Sequence, residues 1–216
     1  MRAAALLLSA VSIAGLAARA EIIDRVAVSV GNRVITRGEI ERHARLTAFL
    51  NREEPDLSPA GLRKTAERLV EQKLVGRELE AARYPAPAPS EAQAALDGIR
   101  RQYKTPAAVK EAFARYGITG EQVREHLLWQ LRFLRFIDLR FRPGVQVTEE
   151  EAREYFRKTV EPVAAQAGPG APPAFEKYRE RIEEALTGQR VDQDLNRWLE
   201  ASRRRTRVEY REEAFR

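Results

Sequence analysis

Apolar and polar positions set the frame before any other property of the chain. From Arg25, the residues Val26, Val28 and Val30 alternate with small or polar ones, the period of a half-buried strand. Gly31-Asn32 then supplies the positive φ of a two-residue turn, so Arg33 to Ile35 is predicted to return as a second strand. Thr36 with Glu39 three residues on has the form of a capping box, which opens a helix.

Beyond that helix the period changes to 3.6. Ser58-Pro59, an N-cap followed by a proline at the first helical position, starts a helix to about Arg83 with Leu62, Ala66, Leu69, Val70 and Leu74 on its stripe. The proline-rich run from Tyr84 to Pro89 breaks it. Ser90 with Gln93 predicts a second box and a helix to about Gln102. Thr105-Pro106 predicts a short helix carrying Val109, Phe113 and Tyr116 and ending at Gly117. Thr119 with Gln122 and Thr148 with Glu151 repeat the box signal. Pro162 to Ala174 reads as an irregular Pro/Gly/Ala linker. Phe175 to about Arg204 reads as one long helix with Gly188 as the point where it bends or breaks, followed by a strand from Thr206 to Tyr210.

The helix from Gly120 to about Arg142 is the most apolar after the N-terminal run. Val123, Leu127, Leu131, Leu134, Ile137 and Phe141 form one stripe, while Leu128, Trp129, Phe136 and Leu139 spread across the opposite side between Arg132, Arg135 and Arg140. Two apolar sides mean either a helix sandwiched in a core, with the last long helix as cover, or a groove open to a ligand. The groove reading makes Leu128, Trp129, Phe136 and Leu139 contact residues, with Arg132 at the rim.

Composition changes this picture in three ways. An apolar run from Ala3 to Ala18 follows one basic residue and ends in Ala18-Arg19-Ala20, so residues 1–20 read as an export signal cleaved after Ala20. That run is shorter than the roughly 20 residues of a spanning helix, and no later stretch could span a bilayer. The formal charge of +6 falls to +4 once Arg2 and Arg19 leave with the signal, and it is spread among 32 acidic residues, which describes a solvated helical surface rather than a nucleic-acid face. The absence of cysteine excludes disulfides, a lipid-anchor site and thiolate metal sites.

Several of these phrases together resemble the N-terminal domain of the SurA family of periplasmic folding factors. They are the alternating strand, Gly31-Asn32, Val34-Ile35-Thr36 followed by Glu39-Ile40, the helix LVEQKLVGRELE, the phrase from Pro89 to Leu96, and Gly117-Ile118-Thr119. The similarity runs from Arg25 to about Phe141 and resumes at the end with Ile182, Leu186, Arg190, Trp198, Leu199, Val208 and Tyr210. In that family the helix after Thr148 leads into a parvulin prolyl-isomerase domain. Here only the linker separates it from the last helix, too short a segment for a domain of at least roughly 50 residues. The resemblance implies a mainly α fold with a small antiparallel sheet (α+β), in which the C-terminal strand pairs with the N-terminal hairpin. The chain is then one domain over 21–216, with residues 143–174 where relatives carry the isomerase and 175–210 completing the fold.

Signs of catalysis are few. His43 and His126 stand alone at positions that read as surface or core edge, and no phosphate loop, nucleophile elbow or H-E-x-x-H is present. Glu149 to Glu151 suit a helix N-terminus and Arg203 to Arg205 a helix C-terminus. The resemblance therefore implies a periplasmic, ATP-independent holdase for unfolded or nascent exported proteins. It calls for no cofactor, no metal, no nucleic acid and no stable membrane insertion, and leaves homodimerisation open. An adaptor with one dedicated partner is the alternative, and a prolyl isomerase would need the missing module.

Overall fold

The computed structural model describes residues 24–166 and 174–216, so the expected export signal and positions 167–173 of the expected linker lie outside the described residues. The fold is mainly helical with one small antiparallel sheet. Strand β1 (Val26–Val30) is central, flanked by β2 (Arg33–Thr36) and by β3 (Val208–Tyr210). Val28 lies opposite Ile35 on one side and Tyr210 on the other, so the two ends of the chain share a sheet. A third strand and a covering helix give the hairpin the burial it lacks alone. Gly31, at φ +59°, makes the turn and donates its N–H to the Arg207 carbonyl (2.8 Å), which ties the turn to the C-terminal strand.

Alternation placed Ala27 on the outer face of β1, but it is fully buried. The chain end explains this. Arg211 N–H bonds to the Ala27 carbonyl (2.9 Å), and the turn Glu212–Phe215 brings Ala214 and Phe215 into the same core. Arg37 holds that turn by donating to the carbonyl oxygens of Ala214 and Arg216. Helix α1 (Arg37–Asn51) is capped by the Thr36 hydroxyl, which accepts from Glu39 N–H. Only half of the expected box forms. The Glu39 carboxylate turns instead to Lys73 (2.8 Å) on α2 (Pro59–Ala81), and Asp24 takes the Gly38 amide.

The next helices are α3 (Pro89–Arg100), α4 (Pro106–Tyr116) and α5 (Gly120–Arg140). Helix α3 begins one residue earlier than Ser90 allows. Pro89 occupies the first helical position, and Glu91, not Gln93, reaches back to the Ala88 amide (2.8 Å). The boxes of Thr119 with Gln122 and Thr148 with Glu151 form as expected.

Residues Glu149–Tyr155 form α6 and Glu161–Gln166 form α7, joined by a π turn over Phe156–Val160. Residues 162–166 of the expected irregular linker are therefore helical, because the helix passes through the proline. The wider π turn just ahead of it accommodates a residue that cannot donate. Ala152 and Phe156 pack on Phe175 and Ile182 in a small core of their own. The last helix, α8 (Arg179–Arg204), runs unbroken through Gly188. A glycine costs about 1 kcal/mol in a helix, and buried Ile182, Val191 and Leu195 on either side outweigh it.

Candidate functional site

The two sides of α5 meet different neighbours along its length, and this decides what each side chain can do. Over its C-terminal half α8 covers it. Phe136 is fully buried, with its ring edge-on to Tyr84 (5.4 Å), Phe141 (5.5 Å) and Trp198 (5.4 Å) between centroids. This corrects its assignment as a contact residue, since no ligand reaches a side chain walled in by three aromatic rings. At this end the sandwich reading holds.

On the side of α5 that carries His126, Trp129, Gln130, Phe133 and Leu134 the cover is incomplete. A cleft of about 550 Å³ opens between α1, α2 and α5, with Leu199 of α8 at its wall. Leu50, Val75, Trp129, Phe133 and Leu134 supply its apolar surface, and Leu134 is 56% exposed. Trp129 stacks on Phe133 with ring centroids 6.4 Å apart and planes 16° from parallel. Trp129 and Gln72 also border a second cavity of about 350 Å³, whose wall includes Leu79, Tyr84, Pro85 and Arg132. The two hollows share one indole, and the second mixes apolar groups with the charged Arg33, Lys73, Glu80 and Arg132.

Of the five residues singled out from sequence, the structure brings Trp129 and Arg132 to a cavity wall. Leu128 is half-buried and Leu139 is half-exposed, and neither lines these two hollows. Leu50, Phe133 and Leu134 were not singled out. Leu134 in particular belongs to the stripe that the sequence assigned to the other side.

The polar wall of the cleft was not foreseen. His43 on α1 is buried, and its ring faces that of His126 on α5, with centroids 5.1 Å apart and planes at 58°. Neither ring makes a hydrogen bond to protein among the described residues, and both border the cleft with Arg68, Glu71, Asn51 and Gln130. Burial, with the nearby His126 and Arg68 charges, lowers the His43 pKa to about 4, and burial lowers that of His126 too. Both imidazoles are neutral at pH 7. Glu71 shifts the other way, raised by desolvation against the cleft wall.

Among the described residues no group of three His, Asp or Glu side chains could hold a metal ion, and no helix is long and apolar enough to cross a membrane. Two members of the C-terminal arginine run sit in ion pairs. Arg203 bridges Glu67 (2.7 Å) and the Tyr210 hydroxyl (3.1 Å), and Arg204 lies 3.9 Å from Glu200. Neither a protein-family model nor a curated protein matches the chain.

Proposed function

We propose that this chain is a SurA-like chaperone without a parvulin module, exported to the periplasm, that holds unfolded or nascent exported polypeptides without ATP. The observation that carries the reading is the cleft between α1, α2 and α5, continued past Trp129 by the second hollow. Its apolar wall is open to solvent beside an otherwise well-packed core. Binding is driven by burial of client aliphatic and aromatic side chains against Trp129, Phe133, Leu134 and Leu50, which releases ordered water. Arg132 at the rim of the second hollow disfavours basic segments and favours acidic or neutral ones, while Arg68 and Glu71 in the first cleft offset each other. Nothing in this mechanism needs a nucleotide, a cofactor or covalent chemistry.

The test is the aggregation of a urea-diluted outer-membrane protein with and without an equal concentration of the mature chain. Suppression by the wild type and its loss on Leu134→Glu, in a variant that keeps its helical circular dichroism, is the expected result. Wild type that fails to suppress aggregation removes the holdase reading and leaves an adaptor with one dedicated partner. Acceleration of a proline-limited refolding reaction would reveal an isomerase instead.

A further inference from the structure

The histidine pair stands where α1 and α5 approach each other along one wall of the cleft, and the charges around it are few enough to count. From α1 comes His43, and from α5 His126, its ring 5.1 Å away. From α2 come Arg68 and Glu71, both lining the same hollow. Helix α8 contributes the apolar Leu199 to the wall, and its Arg203 and the Glu67 of α2 both act on Glu71 from outside the cleft, with opposite sign. At neutral pH the cleft charges are those of Arg68 and Glu71, which cancel.

We propose that the α1–α5 seam is an acid-operated device: protonation of His43 and His126 drives the two helices apart and widens the cleft. Two imidazolium rings at this spacing repel each other, and Arg68 repels that of His43. Each proton also creates a charge that needs water, of which the closed seam leaves the largely buried His43 little and an opened seam supplies more. Glu71 does not hold the seam shut. Its raised pKa means that it gives up its negative charge as acid enters, so the cleft moves from neutral toward three positive charges. The open form is the better proton acceptor, and acid shifts the population toward it. Opening does not depend on what fills the cleft; its consequence, a change in client capacity with pH, rests on the function proposed above.

The chain contains no cysteine, so two can be introduced cleanly. Spin labels on Arg42→Cys and Glu125→Cys, next to the two histidines on exposed positions, report the α1–α5 distance by pulsed electron resonance. The expected result is one narrow distance at pH 7 and a longer one in acid, with the change falling between pH 6.5 and about 4. His126→Gln, at a half-buried position that tolerates the change better than His43, moves that midpoint down by at least about one pH unit. A distance that stays constant from pH 7 to pH 4 overturns the proposal. So does a His126→Gln chain that opens at the wild-type midpoint, because the change would then be general acid unfolding. Client capture is measured on the same samples, and its failure at every pH alongside normal opening would count against the holdase reading alone.

Discussion

Truncating Phe136 to alanine separates a core residue from a contact residue. The side chain is fully buried and meets three aromatic rings edge-on at 5.4–5.5 Å. Phe→Ala at such a site costs about 3–5 kcal/mol, the sum of lost transfer energy and the cavity left behind. Three aromatic neighbours, each pair worth about 0.5–1.5 kcal/mol beyond its area, put this case in the upper half of that range. With a urea m-value of about 2 kcal/mol/M, a loss of about 4 kcal/mol lowers the unfolding midpoint by about 2 M. Urea titration followed by far-UV circular dichroism reads this directly. Leu139→Ala, on the same helix but half-exposed, is the control and stays within about 0.5 kcal/mol of wild type. A Phe136→Ala protein less than about 1 kcal/mol weaker than wild type, yet unable to hold a client, would refute the packing argument.

Three further outcomes follow from individual side chains. Because the His43 pKa is about 4 when folded and 6.5 when unfolded, its contribution to stability is complete above pH 6.5 and is lost as pH falls toward 4. The shift corresponds to about 3 kcal/mol, and urea midpoints at pH 7, 5 and 4 should flatten in His43→Gln. Tyr210 moves at the other end of the scale. Burial, then its hydrogen bond to Glu67, pushes its phenol up to about 12, so its contribution is complete below pH 10 and is lost as pH rises from 10 to 12. One tyrosine that ionises late in a phenolate absorbance titration, and its disappearance in Tyr210→Phe, is the check. Gly117 ends α4 at φ +63°, where a Cβ would also come within 2.9 Å of Arg45 Nη1, so Gly117→Ala costs about 1–2 kcal/mol by thermal or urea unfolding.

The local grammar of the chain was legible because its causes are local. The hairpin turn, the Ser58-Pro59 start, the Thr105-Pro106 start and two of the capping boxes each depend on residues within four positions of one another. The return of β3 to β1 was also anticipated, from the resemblance and from the instability of a lone hairpin. What failed needed a partner from elsewhere in the chain. Glu39 leaves its box because Lys73 offers an ion pair, and α8 survives Gly188 because its flanking residues are buried. The period of α5 showed that two of its sides are apolar, but period alone cannot say that Trp198 would close over Phe136 while the region around Trp129 stayed open. The facing of His43 and His126 was out of reach for the same reason. Each looked solitary in sequence, and only the packing of α1 on α5 makes them a pair.

The central claim, that unfolded polypeptide lies in the cleft between α1, α2 and α5, is tested most directly by site-specific photo-crosslinking. A photoreactive phenylalanine replaces either Leu134, exposed inside the cleft, or Leu139, exposed on the same helix outside it. After light, with a urea-diluted outer-membrane protein as client, the probe at 134 should give a strong adduct and the probe at 139 little or none. Equal labelling at the two positions, or an adduct at 139 alone, would contradict the account.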